Sequence, residues 1–275
     1  MPAGAFGVNS YSYILSHTAR DAVAHLARQR YSAFELMLFP GHLWPPELDA
    51  AARRALRAEL AAGTSRVLTL NIPSIDINLA AASREMRDYS LSMLRNAVRL
   101  AGDLGVPGVL FGPGKPNPLF PLPRERMMQY FFAALDDLAP LAKACGTRIL
   151  VENIPICFLP DADSLMAALD QYGDPDIGVV YDVANAVYHR EDPLAGLRRV
   201  RPRLRLVHVS DTGLDAYRHD PVGRGVVPFA DIPAVLDEIG YAEVAMLEII
   251  TRDPDRDIAD SVERLTAMGW TTERA

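Results

Sequence analysis

Two glutamates, an aspartate and a histidine each close a short apolar run. ILV (149–151) leads into Glu152, GVVY (178–181) into Asp182, LRLV (204–207) into His208 and AML (245–247) into Glu248. A carboxylate among apolar neighbours is costly unless it is paired or bound to a metal. Three carboxylates and one imidazole form a hard, mixed oxygen and nitrogen donor set. Such a set suits one divalent ion, Mn²⁺, Mg²⁺, Co²⁺ or Zn²⁺, better than a thiophilic metal. A single polar residue at a strand end is ordinarily just satisfied where it stands. Four in consecutive runs argue for a metal site. Asn153 and Asn185 could orient such ligands from behind or could simply cap loops. Lys115, in GPGKP (112–116), could hold an anionic group or face solvent.

Residues this far apart in sequence meet only if the fold gathers their strand ends. Strands are expected at Ala5–Asn9, Ala33–Leu38, Arg66–Asn71, Gly108–Phe111, Arg148–Glu152, Gly178–Asp182, Leu204–His208 and Val244–Ile249. Amphipathic helices are expected near 18–30, 47–62, 83–104, 124–145, 162–172, 191–200, 229–239 and 256–268. Strand and helix alternate throughout, which predicts a parallel sheet. The strands are continuously apolar, as strands buried on both faces are. The fold class is therefore α/β, a single (β/α)₈ TIM barrel over residues 1–275, with a doubly wound open sheet as runner-up. The 275 residues fit a barrel of about 250. No GxGxxG follows the first strand and no P-loop is present, so no nucleotide cofactor is expected. Leu150 and Glu152 share one strand parity, so the polar residue sits at the last inward position, at the barrel mouth.

Six strings occur in order: LNIPSIDINLA (70–80), FGPG (111–114), VEN (151–153), VYDVAN (180–185), VHVSD (207–211) and RHDPVGRG (218–225). Together they resemble the xylose isomerase-like TIM-barrel superfamily. That group holds sugar and sugar-phosphate isomerases and epimerases, keto-sugar 3-epimerases, inosose and dehydroshikimate dehydratases, and endonuclease IV. The resemblance covers nearly the whole chain. It implies that Glu152, Asp182, His208 and Glu248 bind one divalent metal. It also implies that the two glutamates flank the substrate, one removing a proton beside the carbonyl and the other returning it. The loop 218–225 would lie beside the substrate, with His219 and Arg224 as contacts, although Asp-Pro and two glycines form a turn regardless. A glutamate in the second strand, here Glu35, would lie near the site as a substrate contact or a satisfied barrel carboxylate.

Departures from the resemblance narrow it. The three-zinc endonuclease IV branch has histidines or an aspartate where this chain has Asn71, Gly112, Asn185 and Tyr217, and only His219 remains of that outer set. One metal can be held here, not three. The net charge of −7 also argues against a nucleic-acid partner. The keto-sugar 3-epimerase branch carries His at the Asn185 position and a substrate-binding Arg at the Leu214 position.

No apolar run is long enough for a membrane span, and no signal-peptide pattern opens the chain. Cys145 and Cys157 form neither a disulfide scaffold nor a CxxC pair, which fits a cytoplasmic protein. His189 is expected on the surface. Trp44, Phe111, Phe120 and Phe158 could wall a pocket, pack on helices or join a homo-oligomer. The proline-rich stretch 116–123 could form a lid or such a contact. The expected function is a metal-dependent isomerase or epimerase of a sugar or similar polyol ketone, by proton transfer through an enediolate. The substrate-binding set is His219, Asn185, Arg224 and Lys115. A dehydratase of an inosose-like or dehydroshikimate-like ketone is the second reading, and a non-catalytic carbohydrate-binding barrel the third.

Overall fold

Eight parallel strands close on themselves, in the order β1 to β8 with β8 returning to β1. They are β1 (Phe6–Asn9), β2 (Ala33–Met37), β3 (Arg66–Asn71), β4 (Gly108–Phe111), β5 (Arg148–Glu152), β6 (Gly178–Asp182), β7 (Leu204–Val209) and β8 (Ala245–Leu247). The architecture is the single (β/α)₈ barrel that the strand and helix alternation predicts. This computed structural model describes residues 6–73 and 76–270. Ala5 of the expected first strand, and Ser74 and Ile75 of the LNIPSIDINLA string, lie outside the described residues. Among those residues no helix is long and apolar enough to cross a membrane.

The helices outside the barrel are α1 (Ala19–Arg28), α2 (Ala50–Ala62), α3 (Arg84–Leu104), α4 (Arg124–Cys145), α5 (Ala162–Tyr172), α6 (Val183–Tyr188), α7 (Pro193–Val200), α8 (Ile232–Glu238) and α9 (Pro254–Ala267). Their starts are written locally. The side chains of Thr18, Asp49, Ser83, Asp161 and Asp192 each accept a backbone N–H in the first turn of α1, α2, α3, α5 and α7. Gly105, Gly146 and Gly173 end α3, α4 and α5 in the left-handed conformation.

Three expectations need correction. The helix expected from 47 starts at Ala50, because Pro45–Glu47 forms a separate 3₁₀ turn. The last strand is only Ala245–Leu247, so Glu248 is the first residue beyond it. The short helix α6 was not foreseen; Asp182 caps it by accepting from Asn185 N at 2.8 Å.

Inside the barrel, Leu110, Leu150, Val180, Leu206 and Met246 form an apolar plug, joined by Leu68. The plug fits because neighbouring strands carry glycine. A Cβ on Gly108 would come within 2.7 Å of Leu150 Cδ1, and one on Gly7 within 2.7 Å of Met246 Cε. Two residues further along their strands, Leu150, Val180, Leu206 and Met246 give way to Glu152, Asp182, His208 and Glu248. Strand alternation therefore stacks a polar layer directly on the plug. A second, larger core lies between the strands and the helices.

Candidate active site

The four strand-end residues meet. Glu152, Asp182, His208 and Glu248 each offer a ligand atom, all within 4.8 Å of one another, and all four residues are buried. His208 Nδ1 lies 3.0 Å from Glu248 Oε2, 3.3 Å from Glu152 Oε1 and 3.9 Å from Asp182 Oδ2. Among the described residues, Asp182 Oδ2 and both ring nitrogens of His208 have no aligned hydrogen-bond partner, and all three atoms are buried. Buried polar atoms are rarely left so. Lone pairs of this kind, converging from three carboxylates and an imidazole, fit one divalent cation.

The charges respond to the same crowding. Burial pushes Glu152 up to about 7, against the pull of His208 and helped by Asp182 and Glu35. Burial likewise pushes Glu248 up to about 7, opposed by His208 and His219. Burial works against the imidazolium of His208, but Glu35 and Glu248 outweigh it and raise the ring well above its ordinary value.

Behind this group stands a second layer from the first three strands. Glu35 on β2 is fully buried. Its Oε1 accepts from Asn9 Nδ2 at 2.5 Å and from Asn71 Nδ2 at 3.0 Å, and its Oε2 accepts from Thr69 Oγ1 at 2.5 Å. His208 Nε2 lies 3.1 Å from Oε1. Burial alone would raise the Glu35 carboxyl, but His208 and the bonds from Thr69 and Asn71 hold it below its ordinary value. Asn9 also reaches Glu248 Oε1 at 3.3 Å, bridging the two layers. Asn9 and Thr69 were missed in the sequence. The available signal was their parity, since each is the polar residue at an inward position near a strand end.

The remaining candidates divide. His219 is brought to the group: Nδ1 lies 3.5 Å from both Asp182 Oδ2 and Glu248 Oε2, and 3.1 Å from Ser210 Oγ. Its loop is held by Asp211. That buried carboxylate accepts from the backbone N–H of Gly223 and Gly225 at 2.8 Å, Thr212 at 2.9 Å and Val227 at 3.2 Å. A Cβ on Gly225 would lie 2.1 Å from the Thr212 carbonyl oxygen, so the glycine is required there. Asn185 is fully buried behind the site, donating to Glu152 Oε1 at 3.2 Å. Asn153 spans β5 and β6, accepting from Asp182 N at 2.8 Å and donating to Asp182 O at 3.0 Å.

Arg224 is not brought to the group. Its guanidinium pairs with Asp257 at 3.1 Å and is 59% exposed. The backbone of Lys115 is held by the Asn78 side chain, which accepts from its N–H and donates to its C=O, and burial lowers its ammonium against the pull of Cys157 and Asp76. His189 lies 3.7 Å from Asp161, away from the ligand group.

A cleft of about 470 Å³, counted with its open mouth, leads to Glu152 and Glu248. Tyr11, Met37, Ile72, Phe111, Ile154 and Ile156 wall it. Of the four singled-out aromatics, Phe111 and Phe158 are buried, Trp44 is partly buried against the core, and Phe120 is exposed. Leu119 and Phe120 project from the proline-rich stretch at 92% and 86% exposure.

The family model described as xylose isomerase-like TIM barrel matches residues 23–268. Fructoselysine 3-epimerase of Shigella flexneri is 20% identical over 285 aligned positions, covering 100% of each chain. The crystal structure of a D-tagatose 3-epimerase-like protein superposes with a TM-score of 0.81 at 21% identity, covering 98% of this chain and 97% of that one. The structure of IolI protein with a bound zinc atom has a TM-score of 0.78 at 15% identity, covering 97% and 98%.

Proposed function

The chain belongs to the xylose isomerase-like TIM-barrel family, and on that premise we propose that it is a divalent-metal-dependent isomerase or epimerase of a small keto-sugar. One observation carries the reading. Two glutamates belong to the buried donor group and also line the cleft. Glu152, Asp182, His208 and Glu248 would hold the ion, one of Mn²⁺, Mg²⁺, Co²⁺ or Zn²⁺.

When bound, such an ion stabilises negative charge on a carbonyl oxygen and a neighbouring hydroxyl oxygen. One glutamate takes the proton from the carbon beside the carbonyl, and the other delivers a proton to the developing anion. Burial favours this work, because a group that titrates near the operating pH both accepts and gives up a proton readily. Asn185 fixes Glu152 by donating to its Oε1. His219, beside Glu248 and Asp182, orients a substrate oxygen. The apolar walls keep bulk water from the anion. Among the described residues no Lys or Arg lines the cleft, which favours a neutral sugar over a phosphorylated one. The fructoselysine 3-epimerase relative supports chemistry next to a ketone.

The test is solvent exchange. Metal-reconstituted protein incubated in D₂O with a panel of ketopentoses and ketohexoses incorporates one deuteron at the carbon next to the carbonyl, seen by NMR together with epimer or aldose formation. Glu152→Gln and Glu248→Gln each lower exchange by about 10²–10⁴-fold. A product lighter by one water points instead to a dehydratase. Tight ligand binding without exchange or turnover overturns the proposal in favour of a binding barrel.

A further inference from the structure

We propose that Glu35 is a positioning residue for the metal site. Its carboxylate faces Nε2 of His208 and keeps the ring proton there, and so aims a bare Nδ1 at Glu152, Asp182 and Glu248. The inference rests on the proposed metal site and adds a residue to it.

A neutral imidazole carries one N–H and one lone pair, and only the lone pair binds a metal. Which nitrogen is bare is decided by the partner of the other one. A metal-binding histidine commonly donates its remote N–H to a carboxylate, which fixes both tautomer and ring orientation. In this barrel the two ring nitrogens face different layers. Nδ1 has three carboxylates within 3.9 Å. Nε2 has one, Glu35 Oε1, in close though unaligned contact at 3.1 Å.

The carboxylate that faces Nε2 is itself fixed. Asn9 on β1 and Asn71 on β3 donate to Oε1 and Thr69 on β3 donates to Oε2, so both neighbouring strands hold Glu35. All three partners donate, which suits an ionised carboxylate that is acceptor-only. Glu35 is fully buried and does not line the cleft, which argues against its touching substrate. Its position on β2, three strands round the closed barrel from His208 on β7, suits a brace for the ring. A glutamine at position 35 keeps the volume. Its NH₂ would have to face either the Thr69 hydroxyl or the donors at Oε1, and the set of acceptors would be incomplete.

Two measurements test this on the full-length protein. The first needs no variant: histidine-¹⁵N-labelled wild-type protein loaded with Zn²⁺. His208 is expected to show a proton on Nε2 and a metal-shifted Nδ1 without one. A proton on Nδ1 with Nε2 on zinc overturns the proposal. The second is Zn²⁺ affinity by competition with a chromophoric chelator, for wild type, Glu35→Gln and Thr69→Val. Glu35→Gln is expected to weaken binding about 10–100-fold. Thr69→Val, which removes one donor to Glu35 but leaves the carboxylate, should lose less. Equal affinity in wild type and Glu35→Gln overturns the role of Glu35 while leaving the metal site standing. Absence of zinc binding by wild type removes the site and this inference together.

Discussion

Strands β1–β3 and strands β5–β8 both send polar side chains to the same end of the barrel, yet the two sets differ in completeness. In the first, both oxygens of Glu35 are filled by Asn9, Asn71 and Thr69. In the second, Asp182 Oδ2 and His208 Nδ1 are buried with no aligned partner among the described residues. Burial is the same; hydrogen bonding is not. A buried polar set that satisfies itself can serve as scaffold. One that leaves lone pairs bare gains when something else binds, because each orphaned group costs about 1–3 kcal/mol. The deficit, more than the presence of carboxylates, separates ligand from support.

The largest effect that tests this contrast lies one level below it, in the apolar plug. Leu150→Ala is expected to lower unfolding free energy by about 2–5 kcal/mol in urea titration. It should leave one metal per chain, because the ligand layer sits on the far side of the plug. Glu248→Gln is expected to do the reverse. It should lose metal while the metal-free fold keeps its stability, since one of several crowded carboxylates has become neutral. If Leu150→Ala abolished metal binding at full stability, the separation of plug and site would be wrong.

The pH dependence of the metal-free protein is the next effect. Glu152 and Glu248 are raised from the ordinary 4.5 to about 7. Between these values the native state keeps protons that the unfolded chain has released, so stability falls as pH rises. Their contribution is fully present below pH 4.5 and is lost as pH passes through about 7. Urea midpoints measured from pH 4.5 to 8 should therefore decline, and Glu248→Gln should flatten the decline. Saturating metal should flatten it too, because metal takes the place of protons on the ligands. A rising midpoint over that window would contradict the account.

The smallest effect is at Arg224. Its side chain is more than half exposed and paired with Asp257 outside the site. Arg224→Ala is expected to change stability by no more than about 1 kcal/mol and to leave KM for the exchanging ketose unchanged. A several-fold rise in KM would return Arg224 to the substrate.

Much of this was legible along the chain. The plug and the polar layer on it follow from period-two alternation, which Leu150 and Glu152 display within one strand. Helix starts follow from Ser83 or Asp161 meeting N–H groups a turn away. These are local relations, fixed by backbone geometry over a few residues, so the sequence by itself determined the strands, most helices and the chemical types of the four donors. Other features depended on closure. Glu35 reads the same as a substrate contact or a satisfied carboxylate along the chain, and only closure brings it to Asn9, Thr69, Asn71 and His208. Nothing near Arg224 in sequence foretells its ion pair with Asp257 on α9. The loop carrying His219 is shaped by Asp211, whose four backbone donors lie from one to sixteen residues downstream. Only the tertiary structure decided these, because a hydrogen bond between distant residues depends on where the closed barrel puts its two ends, and no local periodicity encodes that.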